Sequence, residues 1–376
     1  MNYFSLTDIK KKNYFSVFHY IYNNPECSKQ QISVSLNMSL PTVTQHLASL
    51  LEDQLIAKVG QLKSAVGRKA MSYSIISDAR LSLGIEIMGN RVSVVALDLY
   101  GRKKAKDRFP LLFSRGNAYF EHLSDCIHKF LKSNRIAEEQ LLGIGIAIQG
   151  LVSNDGQTIA YGKILDSTGI SIDRFSRYFH VPCRFLHDSV CAATSELWEN
   201  PVINNAIYIS LSRHLGGAII LNKTVFSGMT GKAGTFEHMT LVPDGKTCYC
   251  GKKGCAESYC SAKALLPKGM ELEDFFTQKA MGNQEYQKRW AEYLDYLAMM
   301  IDNLRSVLET PVILGGHIAP HLTDLDISYL KQSLYDLCTF KDSPPEITCG
   351  KCRVDGIPIG AALTYINEFL NTLTLD

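Results

Sequence analysis

The 376-residue chain carries a formal net charge of only +2 and has no apolar run long enough to span a bilayer. Its first residues also lack the compact apolar core of a signal peptide. We therefore expect no membrane insertion and a cytoplasmic location, in which the eleven cysteines stay reduced. A hydrophobic fraction of 46% and a charged fraction of 20% are typical of a soluble globular protein, and the length predicts two or three domains.

The small net charge is unevenly distributed along the chain. Residues 1–80 contain nine Lys and Arg against five Asp and Glu, whereas residues 81–376 contain 30 against 32. The basic charge of the first segment is suited to contact with a polyanion, whereas the slightly acidic remainder is suited to a different function. The asymmetry favours a DNA-binding head joined to a larger body.

The first 80 residues have the pattern of a winged helix-turn-helix domain. Apolar residues recur at helical spacing over 6–22, and Ser28 is predicted to cap a short second helix that ends near residue 36. A third helix with a buried apolar stripe is predicted over 40–53. Two strand-like segments, 55–59 and 70–76, then flank a polar stretch. Together they predict three helices followed by a β-hairpin wing.

The third helix and the wing supply the candidate DNA contacts. On the helix, hydroxyl, amide and imidazole side chains that we predict to be exposed are suited to base edges and phosphates. A hydroxyl at the helix entrance suits a phosphate, and two basic residues at the wing tip suit a minor groove. The predicted DNA-binding residues are Ser39, Thr42, Thr44, Gln45, His46, Arg68 and Lys69. The alternative is that these side chains are only the solvated faces of a small helical domain.

Residues 238–255 carry a set of metal-binding side chains. His238 is followed, after nine residues, by Cys248, Cys250 and Cys255. One imidazole and three thiolates complete the tetrahedral ligand set of a structural zinc ion, and clustered cysteines in a reduced chain favour a metal over disulfides. We predict a structural Zn2+ with no open coordination position. The alternative is a chance cluster of thiols in a loop.

This segment resembles the zinc signature of the ROK family, which comprises repressors, open reading frames and sugar kinases. In the family a G-H is followed by C-x-C-G-x-x-G-C-x-E. Here Cys250-Gly251, Gly254-Cys255 and Glu257 match in order, and His238 is in place. The resemblance therefore extends over metal ligands, glycines and an acidic residue at the family's spacing.

The resemblance implies an α/β fold with an N-terminal winged helix-turn-helix domain and a two-lobed, ribonuclease H-like body of the actin and sugar-kinase type. The winged helix is expected at residues 1–80. The first lobe is expected at 81–186, completed by a C-terminal helix at about 358–376, and the second lobe at 187–357 with a zinc loop at 238–255. ROK repressors begin with such a DNA-binding domain and the family's kinases lack it, so the resemblance favours the repressor branch.

The resemblance also implies a sugar-binding cleft between the lobes. Asp188 stands at the position of the kinases' catalytic base, which also binds a sugar hydroxyl. Thr235 replaces a sugar-binding Glu, Glu237 replaces a Gly, and His187 replaces an Asn. The ligand-binding residues implied in this way are Asp188, His187, Glu257, His238, Thr235 and Lys163.

The family's phosphate-binding positions are substituted in this chain. Met88 stands where the kinases have a Gly that admits phosphate, although Glu86 keeps a carboxylate nearby. Ser212 and His214 replace glycines of a phosphate loop. Because these side chains would meet a bound nucleotide, we predict no kinase activity and assign no catalytic residue.

The function predicted from the sequence is a zinc-containing transcriptional repressor of sugar-utilisation genes. Its expected partners are operator DNA, a sugar or sugar-phosphate effector, and further copies of the chain in a homodimer or tetramer. Two alternatives stay open: an active ROK sugar kinase, and a regulator with a vestigial cleft that a protein partner controls. The departures from the family at Thr235 and His187 keep the vestigial cleft under consideration.

Overall fold

The computed structural model describes residues 6–61, 70–341, 346–351 and 355–372. The N-terminal unit comprises α1 (Leu6–Asn23), β1 (Cys27–Ser28), α2 (Lys29–Ser35), α3 (Leu40–Glu52), β2 (Ile56–Gln61) and β3 (Met71–Ile75). Its strands form an antiparallel sheet in the order β1-β3-β2. The predicted helices and both strands of the wing are confirmed, and β1 was not predicted. Arg68 and Lys69, the predicted wing tip, lie outside the described residues.

Side-chain caps set the starts of the two helices of the helix-turn-helix. Ser28 and Gln31 form a capping box at α2, in which each side chain accepts the other residue's backbone N–H. At α3 the Ser39 hydroxyl accepts the Thr42 N–H. Between the helices Asn37 adopts a φ of 51°, a left-handed conformation that Asn tolerates well. These local signals explain why this unit was predictable from its sequence.

The first lobe is built on a five-stranded sheet in the order β10-β7-β4-β5-β6. Its elements are β4 (Leu81–Ile87), β5 (Arg91–Asp98), β6 (Lys103–Pro110), α4 (Asn117–Ser133), β7 (Leu141–Ile148), β8 (Leu151–Val152), β9 (Ile159–Tyr161), α5 (Asp173–Ser176) and β10 (Cys183–His187). The central strand β4 pairs antiparallel with β5 and parallel with β7, and all three are apolar and buried. The β8 and β9 strands form a separate two-stranded sheet.

The second lobe is built on a five-stranded sheet in the order β13-β12-β11-β14-β15. Its elements are α6 (Asp188–Glu199), β11 (Ala206–Leu211), β12 (Leu215–Leu221), β13 (Thr224–Phe226), α7 (Glu257–Cys260), α8 (Ala262–Leu265), α9 (Leu272–Ala280), α10 (Gln284–Arg305), β14 (Val312–Gly315), α11 (Asp324–Leu337) and β15 (Ile347–Cys349). The apolar face of α10 is buried within the lobe, where it packs against α9 and α11.

The last helix, α12 (Gly356–Thr372), packs on β4, β5 and β7 of the first lobe and on α6. It approaches α6 closely at Gly360, where a Cβ would lie 1.7 Å from the Cys191 carbonyl oxygen. At its C-terminal end the Phe369 ring meets Phe18 of α1 edge to face, with centroids 5.9 Å apart. One helix therefore contacts the first lobe, α6 and the N-terminal unit.

Helix α1 also docks directly on the first lobe. The Tyr22 ring stacks on Tyr100 with centroids 4.5 Å apart, and the Tyr22 hydroxyl donates to the Leu99 carbonyl at 2.9 Å. These contacts fix the winged helix against the body. In the described ranges, no helix combines the length and the apolar content that crossing a membrane requires.

Candidate metal centre and effector cleft

His238 and three cysteines converge in the second lobe. The Cys250 and Cys255 sulfurs are 3.7 Å apart, His238 Nδ1 is 3.8 Å from Cys248 Sγ, and all four ligand atoms lie within 4.8 Å of one another. Zn–S bonds of about 2.3 Å in a tetrahedron place sulfurs about 3.8 Å apart, so this set fits a zinc ion. With Nδ1 as the ligand, His238 Nε2 is left to donate to the Tyr249 hydroxyl, 3.3 Å away.

Two glycines let the metal-binding loop close on itself. Gly251 has a φ of 93° and Gly254 a φ of 76°, and a Cβ on Gly254 would lie 1.9 Å from the Val242 carbonyl oxygen. Backbone hydrogen bonds hold the turn, since the Gly251 N–H donates to the Cys248 carbonyl and the Cys248 N–H to the Lys252 carbonyl. The ligands are thus preorganised by the backbone around them.

The metal-binding loop leads directly into Glu257, the first residue of α7. Its carboxylate is buried, with Oε1 at 2.7 Å from His214 Nδ1 and Oε2 accepting the Leu215 N–H at 2.7 Å. In the sequence, His214 was noted only because it replaces a glycine of the family's phosphate loop. In the structure its imidazole fixes the carboxylate that ends the metal-binding segment.

Asp188 begins α6 immediately after β10, so its carboxylate lies where the two lobes meet. Its Oδ1 accepts the Ser189 N–H at 2.7 Å and lies 3.3 Å from His187 Nε2. Burial raises the pKa of Glu86 on β4 to about 7, and the charge of Asp188 acts in the same direction. Glu86 and Asp188 therefore interact within one acidic site.

Glu237 adds a further carboxylate to this site. It lies in a 3-10 helix, Phe236–His238, with a side chain only 7% exposed. Burial raises its pKa to about 8, and the charges of Asp188 and Glu257 act in the same direction. The sequence showed Glu237 only as a departure from the family's glycine, and its burial in the site was not predicted.

Two other predicted ligand-binding residues have different surroundings. Thr235 is half-buried and its hydroxyl donates to the Lys232 carbonyl at 3.1 Å. Lys163 is exposed. Two residues before it, the Tyr161 ring of the first lobe meets the His238 ring of the second edge to face, with centroids 6.5 Å apart. The segment that carries Lys163 thus faces the metal-binding loop across the cleft.

A second contact joins the two lobes. Asn154, between β8 and β9, donates from Nδ2 to the Met229 carbonyl at 3.0 Å. Next to it, a Cβ on Gly231 would lie 2.9 Å from Asn154 Oδ1. No local pattern signals this contact, because its two partners lie on different lobes and far apart in the chain.

The candidate DNA-binding face of α3 is exposed in part. Ser39, Thr44 and Gln45 are exposed and Thr42 is half-buried, as a helix face that meets DNA requires. The Thr44 hydroxyl donates back to the Leu40 carbonyl at 2.6 Å. The hydroxyl and amide groups predicted to meet DNA therefore share one accessible surface.

The expectation that His46 is exposed is wrong. Its side chain is buried, with the residue 6% exposed, and its ring meets Tyr14 of α1 edge to face at 6.3 Å. His46 follows the buried Val43 by three residues, so both lie on the inner face of the helix. Burial lowers the pKa of His46, so the ring serves as a neutral part of the helix packing.

Comparison with known proteins identifies two regions of the chain. A profile described as the ROK family matches residues 82–333, and one described as Winged helix-turn-helix DNA-binding matches residues 15–57. The xylose repressor of Bacillus spizizenii is 28% identical over 263 residues, which cover 69% of this chain and 68% of that protein. The DNA-binding transcriptional dual regulator NagC of Escherichia coli strain K12 is 27% identical over 271 residues, covering 70% and 66%.

Solved structures share the fold. A ROK family transcriptional regulator described as a homologue of the E. coli MLC protein superposes with a TM-score of 0.78 at 17% identity, covering 97% of this chain and 98% of that one. A ROK glucokinase from Streptomyces griseus, in complex with glucose and AMPPNP, superposes with a TM-score of 0.66 at 20% identity, covering 76% and 98%. The predicted combination of a winged helix with a sugar-kinase-like α/β body is confirmed.

Proposed function

This chain belongs to the ROK family, and from that premise we propose that it is a transcriptional repressor of sugar-utilisation genes. The winged helix-turn-helix binds operator DNA through the exposed face of α3. A sugar bound between the lobes changes the affinity for the operator. The relatives at 27–28% identity, a xylose repressor and a transcriptional regulator, support this assignment.

The observation that carries the proposal is the position of α12 between the cleft and the DNA-binding unit. Helix α12 packs on α6, which begins at Asp188, and its far end packs on α1. There the Leu370 carbonyl lies 2.9 Å from His19 Nε2. An effector acts only through a difference in affinity between two states, and a shift of α6 on ligand binding would be transmitted through α12 to α1.

We assign a structural zinc ion to His238, Cys248, Cys250 and Cys255. The ligand distances and the left-handed glycines of the loop support it. The four side chains fill all coordination positions of the ion, so no position is left open for chemistry. Its role is to stabilise the loop that positions Glu257 at the cleft.

We also infer that the chain does not transfer phosphate. Met88 Sδ lies 3.0 Å from Arg91 Nε at the turn after β4, and this contact supports the proposal because the resemblance puts the family's first phosphate turn there. Ser212 Oγ lies 3.1 Å from His317 Nδ1. A Cβ on the neighbouring Gly316 would lie 2.6 Å from that hydroxyl, so Ser212 takes up the space beside this glycine.

In the cell we propose a cytoplasmic homodimer or tetramer. Two winged helices related by a twofold axis would read a palindromic operator with half-sites about one helical turn apart, or a multiple of it. A membrane location receives no support, since no described helix is suited to cross a bilayer.

The test is capture of genomic DNA by the purified full-length protein, with and without a panel of sugars. The panel holds xylose, glucose, glucosamine and N-acetylglucosamine, with the 6-phosphates of glucose and N-acetylglucosamine. We expect discrete palindromic sites near sugar-utilisation genes, with an occupancy that one sugar changes. A Gln45→Ala variant serves as control, because it should lose capture without losing sugar binding.

Three outcomes would contradict the proposal. Failure to enrich any discrete site would remove the DNA-binding function. Enrichment that no sugar changes, together with no sugar binding in calorimetry, would favour a vestigial cleft and control by a protein partner. Sugar-dependent ATP consumption would favour the kinase instead.

A further inference from the structure

Glu237 carries a buried carboxylate oxygen that lacks a donor. Of its two oxygens, Oε1 lies 4.0 Å from His238 Nε2, and Oε2 has no hydrogen-bond partner among the described residues. The side chain is 7% exposed. A buried carboxylate oxygen without a donor is costly, since water is excluded and nothing replaces it.

The neighbouring carboxylates have donors within the protein. Both oxygens of Glu257 are bound, one by His214 and one by the Leu215 N–H. Asp188 accepts the backbone N–H that follows it and lies next to an imidazole. Unlike Glu257 and Asp188, Glu237 therefore has a buried oxygen whose donor is missing, and it directly precedes His238, one of the four possible metal ligands.

We propose that Glu237 Oε2 accepts a hydrogen bond from the effector, and that the effector is an unphosphorylated sugar. A hydroxyl or an amino group of a sugar supplies the missing donor. A phosphate at this end would bring negative charge and acceptor oxygens toward Glu237 and the neighbouring carboxyl groups. The inference rests on the proposed sugar-responsive function and narrows its effector to a neutral or amino sugar.

Glu237 also neighbours a metal ligand, which offers a different reading of the same residue. A carboxylate behind a ligating His commonly orients the ring and strengthens metal binding. In that reading, replacing the Glu237 carboxyl by an amide lowers the affinity for zinc and leaves the preference among sugars unchanged. Metal content and sugar affinity must therefore be measured on the same protein.

The experiment is calorimetric titration of zinc-loaded full-length protein with matched pairs: glucose and glucose 6-phosphate, and N-acetylglucosamine and its 6-phosphate. Glucosamine against glucose distinguishes an ammonium donor from a hydroxyl donor. We expect an unphosphorylated sugar to bind at least tenfold more tightly than its phosphate. Glu237→Gln should weaken that binding about tenfold, while its zinc content stays at the wild-type value.

Asp244→Asn is the matched control, because Asp244 is an exposed carboxyl in the same segment and the change likewise replaces a carboxyl by an amide. It should bind every sugar as the wild type does. Tighter binding of a phosphorylated sugar, or unaltered sugar binding by Glu237→Gln, would overturn the inference and leave operator binding and its sugar response intact. Absence of binding by every sugar would overturn this inference and the effector part of the proposed function together, whereas operator capture tests the DNA-binding part separately.

Discussion

The two sides of the interlobe cleft differ in the residues that they carry. The side that we propose binds a sugar, the sugar side, carries Asp188, Glu257 and a set of four possible metal ligands. On the other side, which resembles the nucleotide side of the family's kinases, Met88 contacts Arg91 and Ser212 contacts a histidine. From this difference we propose that ligand recognition and phosphoryl transfer use separable sets of residues within one fold.

Among changes on the sugar side of the cleft, substitution of a metal ligand should have the largest effect. Cys250→Ser should lose bound zinc and lower the free energy of unfolding by more than about 3 kcal/mol, because metal binding contributes to folding. Zinc content by mass spectrometry and urea unfolding measure both effects. Cys349→Ser is the control, since Cys349 is exposed and lies outside the metal-binding loop. Normal zinc content in Cys250→Ser would contradict the metal assignment.

The acidic site predicts a pH dependence of stability. The pKa of Glu86 is about 7 when folded against 4.5 ordinarily, so the folded chain holds a proton that the unfolded chain releases between these values. The contribution is fully present below about pH 4.5 and is lost as the pH rises through 7, for a total of about 3 kcal/mol.

Unfolding free energies measured from pH 5.5 to 8 should therefore fall more steeply for the wild type than for Glu86→Gln. The variant keeps a neutral side chain of the same shape and lacks this titration. Equal slopes for the two proteins would show that Glu86 is not held in an acidic, buried environment.

Asp188→Asn tests whether the retained carboxylate still binds a sugar. We expect the affinity for the effector sugar to fall about 10- to 100-fold, as for loss of a charged hydrogen-bond partner. Calorimetry measures it, and Asp166→Asn, whose side chain is 88% exposed, is the matched control. Unaltered sugar affinity would place the effector elsewhere.

Phe369→Ala tests the connection between cleft and DNA-binding unit. Loss of its contact with Phe18 should cost about 2 kcal/mol, less than for a fully buried Phe because the side chain is half-buried. The sugar-induced change in operator affinity should shrink while sugar affinity stays the same. Leu325→Ala, a change at an apolar residue that is 82% exposed, should leave both unchanged. A full sugar response in Phe369→Ala would rule out transmission through this contact.

The smallest expected effect is on the nucleotide side. An ATP analogue with Mg2+ should shift the melting temperature by less than about 1 °C, whereas a ligand at 100 times its Kd would stabilise the fold by about 2.7 kcal/mol. A shift of several degrees would show that this side still binds nucleotide. The contrast between the two sides would then disappear.

Local signals in the sequence predicted the helix-turn-helix, the two strands of the wing and the grouping of His238 with three cysteines, whose ligand atoms lie within 4.8 Å of one another. They succeed because caps, periodicity and ligand spacing act over a few residues. The strand β6 was not predicted, because its sequence is charged rather than apolar. Such a sequence is tolerated in β6 because it is an edge strand, with one side unpaired. His46 was predicted to be exposed because histidine is polar. Its spacing of three residues from Val43, however, puts both residues on the buried face of the helix.

The candidate site was predicted less completely than the fold. The pairing of His214 with Glu257 and the burial of Glu237 depend on residues that only the tertiary structure brings together. The sequence signalled these features only in that His214 and Glu237 depart from the family pattern. Such a departure shows that a residue differs from the family, but it does not show which contacts the new residue makes. Contacts between the lobes, such as Asn154 with Met229, have no counterpart in sequence spacing.

The most direct test of the central claim is an operator titration carried out with and without the effector sugar and ATP, with sugar phosphate measured in the same samples. The separation of recognition from catalysis predicts that sugar alone changes operator affinity at least tenfold and that no sugar phosphate forms. A response that requires ATP, or accumulation of sugar phosphate, would contradict it.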